Sequence, residues 1–173
     1  MKNHKKKQLL KIHSGVYGIC LSGDKLLMIL KSRGPYIGKY DLPGGRIEAL
    51  ETIEDALRRE FKEEIGCLIK ELDFFTYAED EFQYQCSSGD LITFHHTGSY
   101  YKVEICDNCK IKKDGDGHDS LGATWIKFQD ILNNDIATPN IVKSVLLDFI
   151  NEKYNNKSSG YKSNQQRTRV GFA

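Results

Sequence analysis

The sequence predicts an α/β or α+β sandwich, a mixed sheet with helices packed on it in a single domain. Three observations carry that expectation. Apolar runs of strand length stand on both sides of one strongly periodic segment, and two further helical patterns close the chain. At 173 residues the chain suits one domain with a substantial core. Its make-up, 39% hydrophobic and 28% charged with three prolines, is that of an ordinary soluble globular protein and not a disordered one.

Residues 9–23 ("LLKIHSGVYGICLSG") and 25–33 ("KLLMILKSR") read as two strands joined by a tight Ser-Gly-Asp turn at 22–24. A loop rich in glycine, "GPYIGKYDLPGG", then leads to the periodic segment, which reads as a helix. Strand-like runs come next at 67–80 ("CLIKELDFFTYAED") and 91–106 ("LITFHHTGSYYKVEIC"). A polar loop at 107–120 precedes a short strand at 123–128 ("ATWIKF"). Helical patterns occupy 128–134 and 141–154, the second announced by Thr138 and Pro139. Residues 155–173 are polar, rich in Ser, Asn and Gln, and basic, so a flexible solvated tail is expected after a domain spanning 1–154.

The formal net charge of +1 offers no global attraction for nucleic acid, so any anionic ligand must be met locally. No apolar run approaches the roughly 20 residues that span a bilayer. The basic start "MKNHKKKQ" also lacks a continuous apolar stretch after it, which together point to a cytoplasmic protein. Five scattered cysteines suit reduced thiols better than a disulfide framework. Cys106 and Cys109 in "CDNC" have zinc-ligand spacing, and His95, His96 or His118 could in principle complete a site; a turn holding two thiols is the simpler reading.

The helix starts at a capping box, Thr52 with Asp55, and stops at Gly66. With Ile53 at zero and about 100° per residue, Ala56, Leu57, Phe61 and Ile65 form a buried stripe. Glu60, Glu63 and Glu64 fall near 340°, 280° and 20°, on one edge of that half-buried face, while Asp55, Arg58 and Lys62 face solvent. Clustered carboxylates there repel one another unless a cation sits among them. Oxygen donors of this kind favour Mg²⁺ or Mn²⁺ over zinc. The plainer alternative is a solvated helix laced with salt bridges. The preceding "PGGR" adds a side-chain-free backbone that can approach a phosphate or offer a carbonyl to a metal.

From Gly45 to Cys67 the residues resemble the Nudix box: Gly45, Glu51, Arg59, Glu60, Phe61, Glu63, Glu64 and Gly66 stand at its fixed positions. Phe61 and Cys67 replace the usual aliphatic residues, and both can pack as apolar groups. The resemblance implies a Nudix-like α/β/α sandwich, with 1–154 as the hydrolase domain. It also implies hydrolysis of a nucleoside diphosphate linked to another moiety, by attack of water at phosphorus. By the family pattern Glu60, Glu63 and Glu64 are metal ligands with the Gly45 carbonyl, and Arg59 orients a glutamate. The general base is then a box glutamate by preference, with Glu79, Glu81 and Asp119 as other candidates. The family's loop glutamate directly before a tryptophan is not matched, because Thr124 precedes Trp125.

Tyr36 and Tyr40 flank the glycine loop and could stack on a base, while Arg33 and Arg46 could contact phosphates. Substrate is open among nucleoside triphosphates, nucleotide sugars and dinucleoside polyphosphates. A proline that many ADP-ribose hydrolases carry downstream of the box is absent, and Tyr84 matches only loosely the tyrosine of some dinucleoside polyphosphate hydrolases. The expected partner is a small nucleotide, with a homodimer allowed and neither membrane nor specific nucleic acid involved. The competing reading is a non-catalytic, Nudix-like ligand-binding or regulatory domain. An intact "REFKEE" argues against it, since a binding module has no need of three glutamates on a half-buried face.

Overall fold

The computed structural model describes residues 8–115 and 117–158, with side chains to 153. Within them, seven strands and three α-helices succeed one another: β1 (Gln8–Ser22), β2 (Lys25–Lys31), β3 (Tyr40–Asp41), β4 (Gly44–Gly45), α1 (Ile53–Glu60), β5 (Ile69–Gln85), β6 (Leu91–Ile105), β7 (Ser120–Lys127), α2 (Phe128–Leu132) and α3 (Asn140–Ser158). The strands lie in the order β3-β2-β1-β6-β5, with β4 beside β1 and β7 beside β2. β1 and β6 run parallel from Gln8 opposite Leu91 to Cys20 opposite Val103, and the other pairs are antiparallel. The sheet is therefore mixed, as expected.

Side-chain alternation along β1 and β2 explains why both read as nearly continuous apolar runs. Val16, Cys20, Leu27 and Ile29 face one way and pack against Ala56, Leu57, Phe61 and Ile65. Tyr17, Ile19, Leu26 and Met28 face the other way, against Ile131, Ile141, Val145 and Leu146. A sheet covered on both faces needs apolar residues at every position. Each large side chain so buried contributes about 1.5–3 kcal/mol. The result is helix, sheet, helix, the predicted sandwich in one domain.

Several boundaries differ from the sequence reading. β5 extends to Gln85, because its hairpin with β6 continues the ladder past Asp80. Two short strands, β3 and β4, lie in what read as loop. α3 continues to Ser158, beyond the expected domain end at 154, and residues 159–173 of the expected tail lie outside the described residues.

The cysteine expectation needs correction. Cys67 and Cys109 form a disulfide, with Cα atoms 5.7 Å apart, while Cys20, Cys86 and Cys106 are free. The loop after β6 folds back under the end of the glutamate-bearing helix, where Cys106 N–H donates to the Leu68 carbonyl and Lys112 N–H to that of Ile65. That return brings two cysteines 42 residues apart into contact. It pairs Cys109 away from Cys106, so "CDNC" does not act as one unit, and thiol count no longer argues for a reducing compartment.

Candidate active site

The helix begins as the sequence implies: the Thr52 side chain accepts from the Asp55 N–H and the Asp55 carboxylate accepts from the Thr52 N–H. Its second half departs from the α-helical wheel. After Glu60 the chain enters a π-helical turn, Phe61–Ile65, which Gly66 closes at φ 76° with its N–H bonded to the Phe61 carbonyl. Such a turn holds one extra residue and rotates the side chains beyond it relative to a regular α-helix. Phe61, Glu64 and Ile65 turn inward. Glu63, expected beside them, instead stays at the rim with its side chain 49% exposed. Ile53, placed on the buried stripe by the wheel, is 40% exposed, and burial along the helix begins only at Ala56.

Glu64 is the most deeply placed acid, 1% exposed. Its Oε2 accepts from the Gly44 N–H at 2.9 Å. Its Oε1 has no hydrogen-bond partner among the described residues. Burial pushes its pKa well up, against the opposing pull of Lys31 and the Gly44 N–H. Glu60 is likewise raised by burial, which the Arg59 guanidinium partly offsets. Gly44 and Gly45 reach both carboxylates because β4 pairs with β1 at Tyr17 and Val16. A side chain at Gly45 would strike the Glu60 carboxylate.

Arg59 organises the rest. Its Nη1 donates to Glu60 Oε1 at 2.8 Å and reaches Glu63 Oε2 at 3.4 Å, while Nη2 donates to the Arg46 carbonyl at 3.0 Å. The guanidinium thus lies between two of the three box glutamates. Among the described residues no three acid, His or Cys side chains stand gathered as a ready-made metal set. Glu64 still fits a hard cation: a buried carboxylate oxygen without a partner is costly, and the Glu60 carboxylate within its electrostatic reach is a second hard oxygen donor. Glu60, Glu64, the Gly45 carbonyl and a reoriented Glu63 are the groups that could hold Mg²⁺ or Mn²⁺.

Glu60 and Glu63 open onto a pocket of about 550 Å³ whose lining also includes Gly45, Lys31, Arg33, Arg46, Tyr36 and Phe94. Arg33 and Arg46 both line this pocket. Tyr40 does not: it packs against the core cluster beneath α3, because strand alternation in β3 sends its neighbour Asp41 to the pocket instead. Of the candidate bases outside the box, Asp119 lines the pocket, whereas Glu79 bonds His95 on the hairpin and Glu81 lies farther along the same strand.

Lys31, Asp41, His13 and Tyr17 also line the pocket and escaped the sequence reading. Lys31 ends an apolar strand and pairs with Asp119 across 88 residues. Asp41 is buried, and burial lifts its pKa to about 6 despite Lys31 nearby. His13, Tyr17, His96 and Tyr36 form a hydrogen-bonded chain: His13 Nε2 to Tyr17 OH at 2.9 Å, Tyr17 OH to His96 Nε2 at 2.8 Å, and His96 Nδ1 to Tyr36 OH at 2.8 Å. Burial holds His13 near pKa 4 and His96 near 3, so both rings are neutral.

A family model described as the NUDIX domain matches residues 11–146. The nucleoside triphosphatase NudI of Escherichia coli (strain SE11) is 37% identical over 131 residues, covering 72% of this chain and 82% of that one. An ADP-ribose pyrophosphatase of Methanocaldococcus jannaschii is 42% identical over 67 residues, 38% of this chain; the match spans only 40% of that relative's length. A NUDIX hydrolase structure from Nitrosomonas europaea superposes with a TM-score of 0.53 at 21% identity, covering 88% of this chain and 75% of the other, a likeness of fold. No helix among the described residues is long and apolar enough to cross a membrane.

Proposed function

Since the chain belongs to the Nudix hydrolase family, we propose that it is a Mg²⁺- or Mn²⁺-dependent pyrophosphohydrolase acting on a nucleoside diphosphate linked to another moiety. The observation that carries this reading is Glu64: buried, with one carboxylate oxygen unpartnered among the described residues, and beside Glu60, which lines a pocket together with Lys31, Arg33 and Arg46. A purely structural helix would not keep such a group. When bound, the metal supplies charge neutralisation at the phosphate oxygens and makes a water a better nucleophile.

The chain's own residues do the rest. Glu60, Glu63, Glu64 and the Gly45 carbonyl would hold the cation, and Arg59 keeps the Glu60 carboxylate aimed. Arg33 and Arg46 meet the phosphate charge. The names of the relatives, ADP-ribose pyrophosphatase and nucleoside triphosphatase, support a nucleotide substrate. A non-catalytic binding domain accounts less well for the retained acids.

The test is phosphate release, after coupling to a phosphatase, across nucleoside triphosphates, ADP-ribose, nucleotide sugars and dinucleoside polyphosphates with Mg²⁺ and with Mn²⁺. Metal-dependent turnover of one class supports the hydrolase and names its substrate. No turnover together with no metal binding supports the binding-domain alternative.

A further inference from the structure

Lys31 and Asp119 form an ion pair on the pocket wall, their side chains 14% and 33% exposed. Lys31 also lies within electrostatic reach of Glu64 and Asp41, so one ammonium faces three acids. The pair rests on a backbone that does not depend on it. Ser32 N–H donates to the Asp119 carbonyl at 2.8 Å, and Lys31 pairs with Ser120 where β2 meets β7. The two side chains can therefore part without the loop opening.

We propose, resting on the hydrolase reading above, that this pair exchanges partners when substrate binds: Lys31 moves to a phosphate oxygen and Asp119 becomes the general base. An ammonium has three donors and no fixed plane, which suits it to change acceptors. A polyphosphate entering the pocket brings several anionic oxygens to compete with one carboxylate. Asp119, relieved of its cation, takes the proton of the attacking water. The water oxygen forms a bond to phosphorus, the bridging P–O bond breaks, and its electron pair leaves on the departing oxygen. The box glutamates are less suited to the proton transfer, since Glu60 is held by Arg59 and Glu64 is enclosed.

The test uses the full chain and inorganic pyrophosphate as the binding probe, with kcat and KM measured on whichever nucleotide the panel identifies. Lys31→Met is expected to weaken pyrophosphate binding and raise KM about tenfold or more, and Lys31→Arg to restore most of it. Asp119→Asn is expected to lower kcat by roughly 10²–10⁴ while pyrophosphate binds as tightly as before, or tighter. Loss of a merely structural ion pair would move both variants in the same direction. Unchanged pyrophosphate affinity in Lys31→Met overturns the phosphate role. A kcat within threefold in Asp119→Asn, or weaker pyrophosphate binding there, overturns the exchange. If the panel shows no turnover, the base role falls with the hydrolase reading, and the pyrophosphate measurement still decides Lys31.

Discussion

Arg59 and Glu51 are joined by two parallel hydrogen bonds, Nε to Oε1 at 2.7 Å and Nη2 to Oε2 at 3.0 Å. This fork-to-fork contact ties the helix to the loop before it and leaves Nη1 for Glu60. An ammonium cannot reproduce that plane. Arg59→Lys is therefore expected to lower kcat by roughly 10- to 100-fold with little change in unfolding midpoint, the size of effect seen when outer-shell partners of a metal site are lost. Steady-state kinetics beside thermal unfolding would check it, and an unchanged kcat would count against a positioning role.

Gly45 is needed for the space it leaves. A methyl group there would displace the Glu60 carboxylate, a flexible side-chain end, so Gly45→Ala should fold nearly as well as the parent yet bind Mn²⁺ more weakly. Calorimetric titration of Mn²⁺ reads this directly. Equal affinity would count against Glu60 as a metal ligand.

Asp41 offers a pH test with a definite sign. Its folded pKa, about 6, lies above its ordinary 3.8, so the native state binds more protons in between and stability falls as pH rises through that window. Asp41→Asn keeps an oxygen for the Leu42 N–H, bonded at 2.8 Å in the parent, and carries no charge to bury. Relative to the parent it should gain little at pH 4 and up to about 3 kcal/mol above pH 7, two pKa units of linkage. Urea unfolding at both pH values measures the difference; a gain independent of pH would contradict the assignment.

The Cys67–Cys109 bond closes a loop of 42 residues beneath the glutamate-bearing turn. Cys67→Ser or Cys109→Ser should lower stability by about 2–4 kcal/mol in the absence of reductant. Cys106→Ser should change neither stability nor metal content. Denaturant curves with and without reductant would show it, and coincident curves for the parent would mean that the bond contributes nothing.

Much of this was legible because it was local or periodic. The capping box, the Gly66 stop and the apolar stripe at Ala56, Leu57, Phe61 and Ile65 each depend on neighbours within a few residues. The box glutamates could be named from spacing, but the exposure of Glu63 could not, because nothing in "EFKEEIG" announces a π-helical turn. Tyr40 was misplaced for a similar reason: a two-residue strand is too short to show alternation. Lys31 with Asp119, His13 with His96, and Cys67 with Cys109 are products of strand order and loop return. Residues so far apart in sequence leave no periodic trace.

The central claim is that Glu64 is kept buried for a divalent cation. Its most direct test is the unfolding midpoint of the parent and of Glu64→Gln as Mg²⁺ or Mn²⁺ is added. The account predicts that Glu64→Gln is at least as stable as the parent without metal, since no charge is buried, and that only the parent's midpoint climbs with metal concentration. A metal-free Glu64→Gln that is less stable, or that gains as much from the metal as the parent, would contradict it.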